Sequence, residues 1–258
     1  MLVRNGLIKS GIRRLFFPPG AVRRIRFGPL RGMVFRVGPN TGLAPWYSGA
    51  ERPHQRAFRT LMPPGGVAVD VGANWGLHSL YLARLAGEDG LVIAVEPFPP
   101  AFRDLQWHLH ANGCRNVRVL PVALSDRCGT GVFVPGGSSC TGRLADAEAN
   151  GGTPVVTRTL DDVIEEADVA RLDLVKIDVE GAEARVLRGA AEAVRRFRPA
   201  LVIDLHTPEQ DVEVARWLTG HGYRIERLTP PPVRRTDVGW PDPEGVWGSI
   251  RATPAERG

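Results

Sequence analysis

Apolar and polar positions alternate in blocks along most of the chain. Residues 67–71, VAVDV, are apolar except for Asp70, and further short apolar runs stand at 91–96, 117–122, 173–178, 200–205 and 223–228. Short runs of this kind, rich in β-branched residues and bounded by turn residues, read as buried strands. Between them, residues 76–86, 100–112, 182–195 and 209–219 carry apolar side chains three and four apart, as Leu77, Leu80 and Tyr81 do, which is the spacing of one helix face. A seventh strand is expected near 245–252. Strand alternating with helix predicts an α/β fold: a mostly parallel seven-stranded sheet, helices on both faces, ligands at the carboxyl ends of the strands. The pattern breaks at 129–160, where a Gly/Ser-rich loop (135–142) and the strand-like VVTRTL replace a simple crossover helix.

Ahead of this core, residues 1–17 have the stripe of an amphipathic helix, stopped at Pro18, Pro19 and Gly20. Residues 22–37 alternate weakly around Gly28–Pro29 and Gly32 and predict a β-hairpin. A loop with Trp46 and Tyr47 follows over 39–50, then a helix over 51–62 that ends at Pro63, Pro64 and Gly65. The expected division is an N-terminal extension, 1–62, and a core domain, 63–258. The extension serves as a lid or acceptor wall, or Trp46 and Tyr47 simply pack. Residues 229–242 are a Pro-rich loop, and the end after Pro254 is expected to fray.

The stretch that organises the chain is VAVDVGANWG, 67–76, read with Glu96. A buried strand ends at a carboxylate, Gly72, Asn74 and Gly76 make a small-residue turn, and a helix begins. Such a turn lets backbone approach a ligand closely beside free helix N–H groups. The next strand ends at Glu96, where an acid accepts hydrogen bonds from both hydroxyls of a ribose. A dinucleotide site would favour G-x-G-x-x-G for its pyrophosphate. Here Asp70 would repel a pyrophosphate but suits the ammonium of a bound amino acid. S-adenosylmethionine offers that ammonium, a ribose and no phosphate.

Composition narrows the field. With 258 residues, 43% of them hydrophobic, the chain can bury a full core. No apolar run approaches the roughly 20 residues needed to span a bilayer, and the basic N-terminus lacks the features of a secretory signal. Cys114, Cys128 and Cys140 are odd in number, without C-x-x-C spacing, and read as reduced cytoplasmic thiols. The net charge of +5 raises nucleic acid as a partner. The basic residues cluster only at Arg13, Arg14, Arg23, Arg24 and Arg26, which reads rather as a solvated face.

With these residues in view, the chain resembles the FkbM-type methyltransferases, S-adenosylmethionine-dependent O-methyltransferases of the class I Rossmann-like fold. The resemblance rests on DVGANWG (70–76), VEPFP (95–99), ALSD (123–126), TLDD (159–162), KIDVEGAE (176–183) and VLRGA (186–190). It implies cofactor contacts from Asp70, Gly72, Asn74 and Gly76 at the methionine end, from Glu96 and Pro97 at the ribose, and from Ala123, Leu124 and Ser125 at the adenine edge. It assigns His78 no role.

Methyl transfer to oxygen needs an aligned acceptor and a group that takes its proton. Candidates follow the fourth and fifth strands: Asp178, Glu180 and Glu183, then Asp204 and His206. His206 is the expected base, since an unperturbed imidazole titrates near pH 6.5; Asp178 and Glu180 form a polar pair beside it. Glu183 also has a plain reading at a helix N-terminus, and Lys176 as the ion-pair partner of a neighbouring carboxylate. A magnesium ion held by Asp178 and Asp204, with Glu180, is a further option. His54 and His221 read as surface residues. The resulting expectation is a cytoplasmic O-methyltransferase acting on a hydroxyl of a sugar or secondary metabolite. The alternatives are a methyltransferase acting on nucleic acid, disfavoured because IDVEG stands where N/D-P-P-Y would follow the fourth strand; a Rossmann-type cofactor-binding protein without methyl transfer; and a peripheral membrane enzyme anchored by 1–17.

Overall fold

The computed structural model describes residues 18, 20–37, 51–136, 142–145, 152–228 and 248–255. The expected helix at 1–17, the 39–50 loop with Trp46 and Tyr47, Cys140 and the 229–242 loop lie outside the described residues.

The hairpin expected over 22–37 is present as β1 (Val22–Arg24) and β2 (Val34–Arg36), paired antiparallel. Helix α1 (Arg52–Leu61) follows, with proline in its first turn, where the missing N–H costs nothing. The core begins with β3 (Val67–Val71), α2 (Leu77–Ala86), β4 (Leu91–Val95), α3 (Pro99–Ala111) and β5 (Val117–Leu120). A second group of strands comes next: β6 (Ala123–Leu124), β7 (Gly129–Pro135), β8 (Gly142–Ala145) and β9 (Thr153–Arg158). The chain continues with α4 (Leu160–Ala167), β10 (Leu174–Ile177), α5 (Glu183–Arg188), α6 (Ala191–Phe197), β11 (Ala200–Asp204), α7 (Pro208–Gly220), β12 (Tyr223–Arg227) and β13 (Ser249–Pro254).

Seven strands form one sheet in the order β12-β13-β11-β10-β3-β4-β5. The pairings β11–β10, β10–β3, β3–β4 and β4–β5 are parallel. Strand β13 runs antiparallel to both β11 and β12. Successive side chains of a strand point to opposite faces, and the core divides accordingly. Val67, Val69 and Val71 pack with Ile177 and Ile203 beneath Leu160, Val186, Val194 and Leu218 of α4 to α7. Ala68, Val92 and Val202 pack on the other face with Phe35 of the hairpin, Phe58 of α1, and Leu80 and Leu105 of α2 and α3. Residues of the expected extension therefore share a core with the sheet. Each Val, Leu, Ile or Phe side chain so buried contributes roughly 1.5–3 kcal/mol.

Two elements depart from the sequence reading. The helix expected over 182–195 is two helices, α5 and α6, interrupted at Gly189, where a Cβ would stand 2.1 Å from the Ser125 carbonyl oxygen. Close contact with a neighbouring strand end thus takes the place of a continuous helix. The second departure is α4, which begins at the TLDD motif: the Thr159 hydroxyl accepts from the Asp162 N–H at 3.1 Å and donates to the Asp162 carboxylate. This is an N-cap. The irregular region before it forms a four-stranded sheet, β6-β9-β7-β8, beside the carboxyl end of the main one.

Candidate active site

The strand–turn–helix at 67–77 is built by contact across parallel strands. Gly72 has φ +74°, and a Cβ there would lie 1.9 Å from the Asp178 carbonyl oxygen, so only glycine lets the β3 and β10 loops meet. Gly72 and Ala73 donate to the Val95 carbonyl at 3.0 Å, which fastens the turn to the end of β4. Asn74 in this turn and Glu180 after β10 both adopt left-handed backbone, at φ 50° and 55°. Such conformations in non-glycine residues gather at functional sites.

These loops border a cleft that opens to solvent. On one side stands Glu96, 5% exposed. Its two oxygens accept from the Asn74 and Phe98 N–H groups, each at 2.8 Å. Burial pushes its carboxyl up to about 7, against those two hydrogen bonds. Ala123 and Leu124 line the cleft as well, with Phe98 and Phe133, whose rings stack 5.1 Å apart. Asp178 and Glu180 line the same cleft.

Gly72, Asn74, Glu96, Pro97, Ala123, Leu124, Asp178 and Glu180 thus come together as the sequence reading expected. Asp70, Gly76 and Ser125 do not line the cleft. Asp70 is fully buried below it, facing Lys176 Nζ at 3.1 Å and accepting from the Ser79 hydroxyl at 2.6 Å. Its charge is met from within the protein, which corrects the reading of Asp70 as a partner for a ligand ammonium. Gly76 starts α2 and turns its α-carbon toward Leu105, and Ser125 is buried against Asp126 and the β9 end. Phe133 had no signal in the sequence, because the small sheet that carries it reaches the cleft only in the folded chain; Phe98 stands in the VEPFP motif but was given no contact.

His206, the expected base, stands among three carboxylates and is not part of the cleft lining. Its Nδ1 lies 2.9 Å from Glu183 Oε1, and its Nε2 lies 3.4 Å from Asp178 and 3.7 Å from Glu180. Burial opposes its charge, but the Glu183 hydrogen bond and the three carboxylates prevail and raise it to about 9. That shift favours the imidazolium, which has no lone pair for a substrate proton. Burial raises Asp178 against the pull of Lys176, although a third of its side chain still faces the cleft.

The expected magnesium pair is not gathered. Asp204 accepts from His54 Nε2 at 2.9 and 3.0 Å and from the Ser249 hydroxyl, while the donors around Asp178 are Glu180 and His206. Lys176 Nζ, 3.7 Å from Asp178, already supplies positive charge there. His54, expected at the surface, is 7% exposed; His221 is half-buried and stacks on Trp217 at 3.8 Å.

A mixed, largely parallel sheet with a Gly-containing turn after β3 and an acid after β4 has the build of a nucleoside-binding α/β protein. Residues 70–225 match the Methyltransferase FkbM domain. The chain belongs to the FkbM methyltransferase family, whose methyl donor is S-adenosylmethionine. It is 32% identical over 212 residues to the 31-O-demethyl-FK506 methyltransferase FkbM of Streptomyces tacrolimicus, covering 68% of this chain and 79% of that protein. It is 30% identical over 209 residues to the AMB antimetabolite synthetase AmbE of Pseudomonas aeruginosa, covering 64% of this chain but only 10% of that protein. In fold it resembles an S-adenosylmethionine-dependent O-methyltransferase from Thermotoga maritima, with a TM-score of 0.50 at 17% identity, covering 93% of this chain and 79% of that one. Among the described residues no helix is long and apolar enough to cross a membrane.

Proposed function

We propose that the protein is a class I Rossmann-like O-methyltransferase that methylates a hydroxyl of a small-molecule acceptor, a secondary metabolite or a sugar. The observation that carries this reading is that Glu96 and Asp178 line one and the same cleft. Glu96, oriented by two backbone N–H groups, is the acceptor for ribose hydroxyls. Gly72 and Asn74 border the same space, and Ala123, Leu124 and the Phe98–Phe133 stack give the flat apolar wall that a purine needs. S-adenosylmethionine, when bound, supplies a sulfonium-activated methyl group.

The chain's own task is then to hold the acceptor and take its proton. Asp178 is the proton acceptor in this reading, with a carboxyl lifted by burial toward useful basicity. His206, held as an imidazolium by Glu183, positions Asp178 and Glu180. The relative FkbM, whose name places its methyl on an oxygen of a metabolite, supports a hydroxyl acceptor. The division into an extension, 1–62, and a methyltransferase domain, 63–258, is part of the same proposal, with the extension as a wall over one sheet face.

The test is calorimetric titration with S-adenosylhomocysteine, in buffer and in EDTA, followed by transfer of labelled methyl to a panel of hydroxyl compounds. Micromolar binding that is lost in Glu96→Ala and unchanged by EDTA, with label on oxygen, supports the reading. Absence of binding removes it.

A further inference from the structure

A second cluster of donor atoms lies outside the cleft, where the first turns of α1 and α2 meet the end of β11. Glu51 directly precedes α1, His54 lies in its first turn, and His78 lies in the first turn of α2. Glu51 Oε2 stands 3.5 Å from His54 Nδ1 and 3.1 Å from His78 Nε2. The two imidazoles stack 5.3 Å apart, and Phe58 covers His78 edge-on at 5.3 Å.

The decisive atom is His54 Nδ1. The His54 side chain is 9% exposed, and this nitrogen is buried with no hydrogen-bond partner. Both oxygens of Asp204 face the other nitrogen, Nε2, at 2.9 and 3.0 Å. Asp204 also accepts from the Ser249 hydroxyl, and both its oxygens face Nε2, so Nε2 is the donor of the His54–Asp204 pair. Nδ1 is left aimed at the Glu51 carboxylate from 3.5 Å without a hydrogen bond, and a cation between the two would satisfy both.

We propose that Glu51, His54 and His78 bind one divalent transition-metal ion of the zinc class, with a fourth position open to water. Bonds of about 2.0–2.1 Å in a tetrahedral zinc site put donor atoms roughly 3.3 Å apart; the two contacts of Glu51, at 3.1 and 3.5 Å, bracket that spacing. Two imidazoles and one carboxylate are borderline donors that suit zinc better than magnesium. Asp204 is the outer carboxylate that fixes the tautomer and ring plane of a metal-bound histidine. The ion fastens the start of α1 to α2 and, through Asp204, to the β11 end beside the cleft.

The experiment strips the full chain with EDTA, removes the chelator, and titrates zinc chloride by calorimetry, with cobalt(II) as a spectroscopic substitute. The expected result is one zinc per chain and the visible absorption of a four-coordinate cobalt site. His78→Ala and Glu51→Gln, each folded by circular dichroism, weaken binding at least 100-fold. Asp204→Asn weakens it about 10–100-fold, and Asp178→Asn leaves the stoichiometry at one. Two variants keep the test decisive if one of them does not fold. The proposal is overturned if the folded wild-type chain takes up no zinc, so that a proton on His54 does the bridging. It is equally overturned if zinc binding survives both His78→Ala and Glu51→Gln, or is lost in Asp178→Asn.

Discussion

Lys176 and Asp70 stand opposite each other in the register of two adjacent parallel strands, and the lysine Nζ lies 3.1 Å from the aspartate Oδ1 with both side chains closed to solvent. The ammonium also donates to the Gly72 carbonyl at 3.0 Å, so the pair braces the turn that borders the cleft. Neighbouring carboxylates raise the lysine further, despite its burial.

Breaking such a pair leaves one buried charge uncompensated, at a cost of about 3–5 kcal/mol. Lys176→Met is expected to lower stability by that amount, measured from urea unfolding midpoints. Asp70→Asn added to Lys176→Met recovers part of the loss. A single variant as stable as the parent would show that the pair is not what holds these strands.

The Glu96 carboxyl titrates near pH 7 in the free protein. Ribose hydroxyls bond best to its ionised form, so affinity for S-adenosylhomocysteine rises with pH. The ionised fraction grows about tenfold between pH 6 and pH 8, and the dissociation constant falls to match. Glu96→Ala weakens binding at least tenfold, since each bond to a charged acceptor contributes about 1.5–3 kcal/mol. Calorimetry across this range checks both, and a flat profile for the parent chain would contradict the ribose role.

The His206 imidazole is raised from 6.5 to about 9. A raised folded value means that its stabilisation is complete below about pH 6.5 and is lost as pH climbs through 9. The stability difference between the parent and His206→Gln is therefore expected to shrink by about 2–3 kcal/mol from pH 6 to pH 10, allowing for its partial exposure. Urea unfolding at both pH values measures it; an unchanged difference would return His206 to an ordinary imidazole.

If Asp178 accepts the substrate proton, Asp178→Asn lowers kcat by about 10²–10⁴-fold. KM for the acceptor changes far less. Steady-state kinetics with an identified acceptor separates the two, and a loss confined to KM would make Asp178 a binding residue.

Gly72→Ala is expected to cost at least about 1–3 kcal/mol through left-handed strain alone. The clash with the Asp178 carbonyl adds to this. Thermal melting reads the loss, and a melting point equal to the parent's would mean that the two loops separate freely.

Signals carried by neighbours in sequence were legible in advance. The strand at 67–71, the hairpin at 22–37 and Glu96 at the end of its strand each depend on periodicity or turn residues a few positions apart. Helix α4 was missed: Thr159 and Asp162 have the spacing of a capping pair, but the strand-like VVTRTL before them drew the reading to a strand. The break at Gly189 was not legible, because it answers to the Ser125 carbonyl from a distant strand.

By itself the sequence determined the order of the main-sheet strands, most of the helices between them and part of the cleft's border, because alternation and turns are local properties. The tertiary structure alone decided which charges are already met. Parallel register set Lys176 against Asp70, packing brought three carboxylates around His206, and α1 folding onto the β11 end buried His54 against Asp204. Proton affinity depends on neighbours only a few ångströms away but tens to hundreds of residues distant along the chain. Periodicity therefore finds the site, and folding decides what each of its groups can do.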